Sequence, residues 1–171
     1  MNTGIKNNSN GKFKVLSTIL NDRYLIPQLR FNGGAYDIEG KIDDKSYNIN
    51  IWRDINYNNS LDVLSKMNKY DLKNIDDNIL DNYKIASLAA EDMSEGEITG
   101  AYNALKNEIE GGSESDKSAI FNEIKSVSAD DIKKMNGRIN GLNNDSNYIV
   151  AASFKDIEKH KEKFDKIIKI N

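Results

Sequence analysis

The sequence predicts an α+β domain, an antiparallel or mixed β-sheet with a β-hairpin, covered by several helices. Three observations carry that expectation. Between residues 35 and 52 apolar side chains recur at every second position. Through most of the remainder they recur every third or fourth. Glycines, singly and in pairs, stand where one regime gives way to the other. Period two marks half-buried strands, and the longer period marks amphipathic helices packed on them.

Taken in order, a short strand is expected at residues 3–6, followed by a loop at residues 7–11 (Asn-Asn-Ser-Asn-Gly). Phe13, Leu16 and Leu20 have helical spacing, and Tyr24, Leu25 and Leu29 form a second helical set after a break at Asn21-Asp22. Pro27, the one proline, fits only near the first turn of that second piece. Gly33-Gly34 then lets the chain turn sharply into the hairpin. Its first run puts Tyr36, Ile38 and Ile42 on one face, and its second puts Tyr47, Ile49 and Ile51 on one face, with Asp43-Asp44-Lys45 between.

Beyond the hairpin the pattern is helical. Ser60 is placed to cap a helix carrying Leu61, Leu64 and Met67. A second helix runs from about Asp77, and a third covers roughly 97–110 and stops at Gly111-Gly112. Ser113 opens a fourth, and Ser128 with Asp131 three residues on is a capping-box-like start for a fifth. Tyr148-Ile149-Val150-Ala151-Ala152 reads as a short strand, and a last helix from about Lys155 uses Ile157, Phe164 and Ile168.

Composition removes several functions. The chain of 171 residues has no cysteine, so disulfides, thiol nucleophiles and thiolate metal sites are excluded. With one histidine, His160, it cannot build a His-rich zinc site alone, and the charged run Glu158-Lys159-His160-Lys161-Glu162 marks that residue as a solvated surface group. A net charge of −3 and a pI near 5.3 give no reason to expect nucleic acid or an anionic membrane as partner. No window approaches the 18 apolar residues of a membrane span, and the start has no signal-peptide stretch. The chain reads as one domain over residues 1–171, soluble and cytoplasmic, or as a piece of something larger. The acidic pairs Asp43-Asp44, Asp76-Asp77 and Asp130-Asp131 fall at a turn and at helix starts, where carboxylates serve the helix dipole or the turn. Gly111-Gly112-Ser113 lacks the Gly-Lys-Ser/Thr of a phosphate loop.

The segment Arg30-Phe31-Asn32-Gly33-Gly34-Ala35-Tyr36 is different. It places a cation at a helix end and a phenol at a strand start, with accessible glycine backbone between. The two groups can converge on a peptide carbonyl. The ordinary alternative makes Arg30 a helix-terminus cation and Tyr36 a core residue.

This Arg-x-x-Gly-Gly-Ala-Tyr segment resembles that of the last domain in the presequence-protease branch of the pitrilysin/insulysin zinc metallopeptidases, the family with an inverted zinc motif, H-x-x-E-H. The similarity extends over Leu20 to Leu25, Trp52-Arg53-Asp54, Ser60-Leu61, Ser128 to Ile132 and Tyr148 to Ala152. The resemblance implies a two-layer α/β sandwich of the metallopeptidase-domain type. It also implies a carboxy-terminal, non-catalytic domain whose Arg30 and Tyr36, with Gly33 and Gly34, contact a peptide substrate across a clamshell. The chain has no H-x-x-E-H. Its catalytic residues and zinc would therefore belong to the amino-terminal, zinc-binding half of the complete enzyme, which degrades unfolded peptides. The other expectation is a stand-alone peptide-binding or assembly module that kept the fold without catalysis.

Overall fold

The computed structural model describes residues 11–42, 46–92, 100–102, 105, 109, 114–141 and 147–170. The expected strand at residues 3–6, the residues before Gly11, the hairpin turn at 43–45 and most of the helix expected over 97–110 lie outside them.

Helix α1 (Gly11–Leu20) forms the centre of the fold. Its Val15, Leu16, Ile19 and Leu20 are fully buried, and Leu72, Ile75, Leu80, Ile124, Ile132 and Ile139 close around them. Burying a side chain of this size contributes about 1.5–3 kcal/mol. Two polar ties fix the start of α1: Gly11 N–H donates to Glu123 Oε2 at 2.7 Å, and Lys12 pairs with Asp131 at 2.7 Å.

No break follows at Asn21-Asp22. The chain runs straight on as a π-helix (Asn21–Phe31) with Pro27 inside it. Proline lacks the N–H that an α-turn needs, and its ring clashes with the carbonyl four residues back. The wider π-turn relieves that clash, and the Pro27 carbonyl accepts from Asn32 N–H five residues on, at 3.1 Å.

The hairpin forms as expected except at Tyr36, which lies one residue before the first strand, where the pairing slips, and is exposed while Ile38 and Ile42 are buried. Strands β1 (Asp37–Ile42) and β2 (Tyr47–Trp52) pair antiparallel, with Ile38 opposite Ile51, Gly40 opposite Ile49 and Ile42 opposite Tyr47. On the inner face Ile38 joins Leu25, Leu29, Ala35 and Met67 in a second buried cluster, with Ile49, Ile51 and Leu64 against it. The two outer edges of the hairpin are treated differently. Along β1, Asn21 Oδ1 accepts from Gly40 N–H at 2.9 Å, and Asn21 Nδ2 donates to Gly40 O at 3.0 Å. Ser17 Oγ accepts from Ile42 N–H, and Asp37 Oδ1 accepts from Ile38 N–H, both at 2.9 Å. Gly40 is required here, because a Cβ would lie within 2.8 Å of Asn21, Tyr47 and Leu25.

Helix α2 (Tyr57–Lys66) begins earlier than expected. Asn56 caps it through its side-chain oxygen, and Ser60 is buried within the first turn. Asn56 sits outside helical backbone angles, which is what an N-cap needs; Ser60, four residues on, is already hydrogen-bonded to the Asn56 carbonyl. Helices α3 (Asp77–Asp92) and α4 (Glu114–Ser126) follow near the expected starts. Helix α5 (Ala129–Lys134) opens with the full Ser128/Asp131 capping box, and α6 (Asn136–Asn140) follows it.

The carboxy-terminal expectations need correction. Residues 148–152 form no strand, and Ile149 is 99% exposed. A strand exists only as one side of a hydrogen-bonded ladder, and none of the described residues supplies the other side. The last helix, α7 (Phe154–Glu158), is a single turn and a half, followed by a 3₁₀ turn (Lys161–Lys163). Ile157 is buried, whereas Ile168 is exposed. No helix among the described residues is long and apolar enough to cross a membrane.

Candidate functional site

The turn from the π-helix into β1 is closed by two backbone bonds, Gly34 N–H to Arg30 O and Ala35 N–H to Leu29 O, each 3.0 Å. Gly34 stands at φ 84°, in the left-handed region that only glycine enters freely. Gly33 lies so close to the helix end that a Cβ would come within 2.5 Å of the Leu29 carbonyl. Both glycines are thus structural requirements of the turn, and the Ile55 side chain rests over Gly34.

This turn presents Arg30 and Tyr36 to solvent. Arg30, on the last turn of the π-helix, is exposed, and among the described residues no ion pair or hydrogen bond engages its guanidinium. Tyr36 is 62% exposed, and its hydroxyl bonds to none of the described residues. The core-tyrosine alternative is therefore excluded. Phe31, Trp52 and Ile55 are exposed beside the same turn, which gives the charged and phenolic groups an apolar surround.

Arg53 belongs to this site, although the motif did not single it out. Beyond the pair Asp37–Trp52 the ladder slips by one residue, and Tyr36 N–H donates to Trp52 O at 3.1 Å. Arg53 turns the chain there at φ 49°, the one non-glycine residue with positive φ among those described. Its guanidinium lies 4.9 Å above the Tyr36 ring centroid, within cation–π range. The sequence signal available was Arg53 next to a strand end, and a positive φ cannot be read from that.

A groove of about 1190 Å³ adjoins the turn, bordered by β2, α2 and residues 147–153, and Arg53, Asp54 and Ile55 form the end nearest Tyr36. Arg30, Gly33, Gly34 and Tyr36 do not line it. The far wall is tied to α2 by Tyr57 Oη, which donates to Asp156 O at 2.8 Å, and by Lys163, which reaches Asn58. Hydrogen bonds from Lys159 first and from Ser153 second hold the Asp156 carboxyl below the usual carboxylate range, so this acid is ionised and already paired. His160 also borders the groove, half-buried and edge-on to Tyr57 at 6.1 Å between rings, rather than on an open helix face. Among the described residues no three His, Asp or Glu side chains gather as a metal site.

The family model described as the PreP C-terminal domain matches residues 2–155, which include the π-helix, the glycine turn, the hairpin and the first residues of α7. Comparison with curated proteins gives no match. With nine-tenths of its length matched, the chain belongs to the PreP C-terminal domain family, the C-terminal domain of presequence protease-like peptidases.

Proposed function

We propose that this domain contacts the peptide substrate of a zinc metalloendopeptidase without itself carrying out catalysis. Zinc and the water it activates would reside in the amino-terminal half of that enzyme, and the residues here act on the substrate's carbonyl and backbone. The observation that carries the reading is Tyr36. It is an exposed phenol whose hydroxyl bonds to none of the described residues, one residue before a strand and one glycine turn away from an arginine that has no partner among them. A hydroxyl that donates to an external carbonyl must have no internal acceptor, and none of the described residues supplies one. Tyr36 would donate a hydrogen bond to the oxygen on which charge develops as the peptide bond is attacked. Arg30 would pair with substrate backbone or orient the phenol. Gly33 and Gly34 would serve the contact by forming the tight turn between the two side chains.

The test is Tyr36→Phe in the complete enzyme. Loss of one such donor lowers kcat by about 10²–10³, with unaltered stability because the hydroxyl bonds to none of the described residues. Unchanged turnover removes Tyr36 from the mechanism.

A further inference from the structure

The direction of the hydrogen bonds along β1 fixes which groups of β2 are free. In an antiparallel pair, alternate residues aim both N–H and C=O at the partner strand, and those between aim both away. Ile38, Gly40 and Ile42 spend their N–H groups on Asp37, Asn21 and Ser17, so they face away from β2. Asp37, Glu39 and Lys41 are then the residues bonded across the hairpin. Their register partners are Trp52, Asn50 and Asn48. It follows that Tyr47, Ile49 and Ile51 direct their backbone N–H and C=O to the outer edge of β2. None of the described residues hydrogen-bonds them there.

That edge opens on the groove. Five consecutive residues, Tyr47 to Ile51, line it, and their side chains point alternately to both faces of the sheet. A cavity lined in that way follows a strand's backbone and not one of its faces. At about 3.3 Å per residue the five lining residues give an edge of about 16 Å, long enough to pair an added segment of about five residues. The opposite wall, residues 147–153, is neither helix nor strand, so it forms no ladder with that edge.

Sequence along the edge agrees. Natural open edges are blunted with charge, proline or a bulge within the strand. Tyr-Asn-Ile-Asn-Ile-Trp has no charge and no proline, and its register is continuous from Tyr47 to Trp52. The groove's charged groups are of both signs, with Asp156 paired to Lys159 at 2.9 Å, so they select no strongly acidic or basic occupant.

We propose that the outer edge of β2 is a binding site for an extended peptide segment, which adds as an antiparallel or parallel strand through the backbone of Tyr47, Ile49 and Ile51. Ile49, Ile51, Leu61 and Leu64 offer apolar contact to alternate side chains of the occupant, which is therefore a proline-free peptide with apolar residues at every second position. The site rests on the peptide-binding reading of the domain, and its Arg53 end leads to Tyr36.

The test uses the full 171-residue chain and a labelled octapeptide, Lys-Thr-Val-Thr-Val-Thr-Val-Lys. Binding is measured by anisotropy, with N-methyl groups placed at each backbone position in turn, and amide exchange of β2 is followed by NMR. Methylation should weaken binding about fivefold to tenfold at every second position and little between. Peptide should slow exchange at Ile49 and Ile51, while Asn48 and Asn50, already bonded to β1, stay as they were. Methylation effects without two-residue periodicity, or no binding at all, would overturn the proposal. So would slow exchange at Ile49 and Ile51 without peptide, which means a segment of the chain fills the edge. Concentration-dependent dimers with the same protection would assign the edge to a second copy and equally overturn it. Tyr36→Phe separates this site from the catalytic reading: periodic binding with unchanged turnover keeps the edge and loses the tyrosine, and the converse loses only the edge.

Discussion

The two edges of the hairpin are built from adjacent strands of equal length and have opposite chemistry. The β1 edge is consumed. Asn21 holds both backbone groups of Gly40, Ser17 holds Ile42, and the glycine leaves room for the amide to approach. The β2 edge keeps the backbone groups of Tyr47, Ile49 and Ile51 facing a groove. One helix accounts for the difference. Because the π-helix continues α1 without a break, Asn21 and Ser17 lie along β1, and none of the described residues bonds the outer edge of β2 in that way. A two-stranded sheet is marginal unless something packs on it, and here the support is all on one side. Stability is concentrated at the first edge and availability at the second.

Breaking the protected edge should have the largest effect. Asn21→Ala strips Gly40 of a donor and an acceptor in a buried position, and each orphaned group costs about 1–3 kcal/mol. We expect denaturant unfolding to show a loss of about 2–4 kcal/mol. Asn50→Ala on the other strand should stay within about 0.5 kcal/mol, since its exposed side chain bonds to none of the described residues. Equal effects at the two positions would mean that the edges do not differ in the way described.

Tyr47 tests the seam between the edges. Its hydroxyl is buried, lacks a partner among the described residues, and sits over Gly40. Burial pushes its phenol pKa well above the ordinary value. Tyr47→Phe removes an unsatisfied polar atom and should raise stability by about 1 kcal/mol. The sign with pH follows from the raised folded-state value. The tyrosine's contribution is intact below its unfolded pKa of about 10 and is lost as pH rises beyond it, because the unfolded chain releases the proton first. The phenylalanine variant should lose less stability between neutral and strongly alkaline pH. A destabilised variant with the same alkaline loss would show that the hydroxyl has a partner after all.

What could be read from the sequence follows the range of the interactions involved. The hairpin, its inward faces and the Ser128/Asp131 cap depend on residues two or three apart, and pattern alone located them. So did the glycine turn with Arg30 and Tyr36 on either side of it. The continuity of α1 into the π-helix was hidden, because Asn21-Asp22 and Pro27 are helix-breaking signals locally. The widened turn and the reach of Asn21 to Gly40, nineteen residues away, override them. Tyr148 to Ala152 has strand composition but no ladder partner among the described residues, and β-propensity expresses itself only where a neighbour exists. Arg53 was hidden for a further reason, since its role depends on a backbone angle.

That angle supports the smallest of these effects, in which two terms of opposite sign nearly cancel. A non-glycine residue in the left-handed region costs about 1–2 kcal/mol, and an exposed cation–π contact returns about 0.5–1 kcal/mol. Arg53 pays the first at φ 49° and recovers the second over Tyr36 at 4.9 Å. Arg53→Gly should therefore stabilise the domain by about 0.5–1 kcal/mol while freeing the Tyr36 ring. Arg53→Lys keeps the backbone strain and gives up the planar guanidinium that lies over the ring, so it should be slightly destabilising. In the complete enzyme a positioning role separates turnover from stability: the glycine variant melts higher yet lowers kcat with little change in KM. If both variants simply lose stability in step with activity, Arg53 is a structural turn residue, and the strain at the open end of the hairpin has no bearing on the tyrosine it covers.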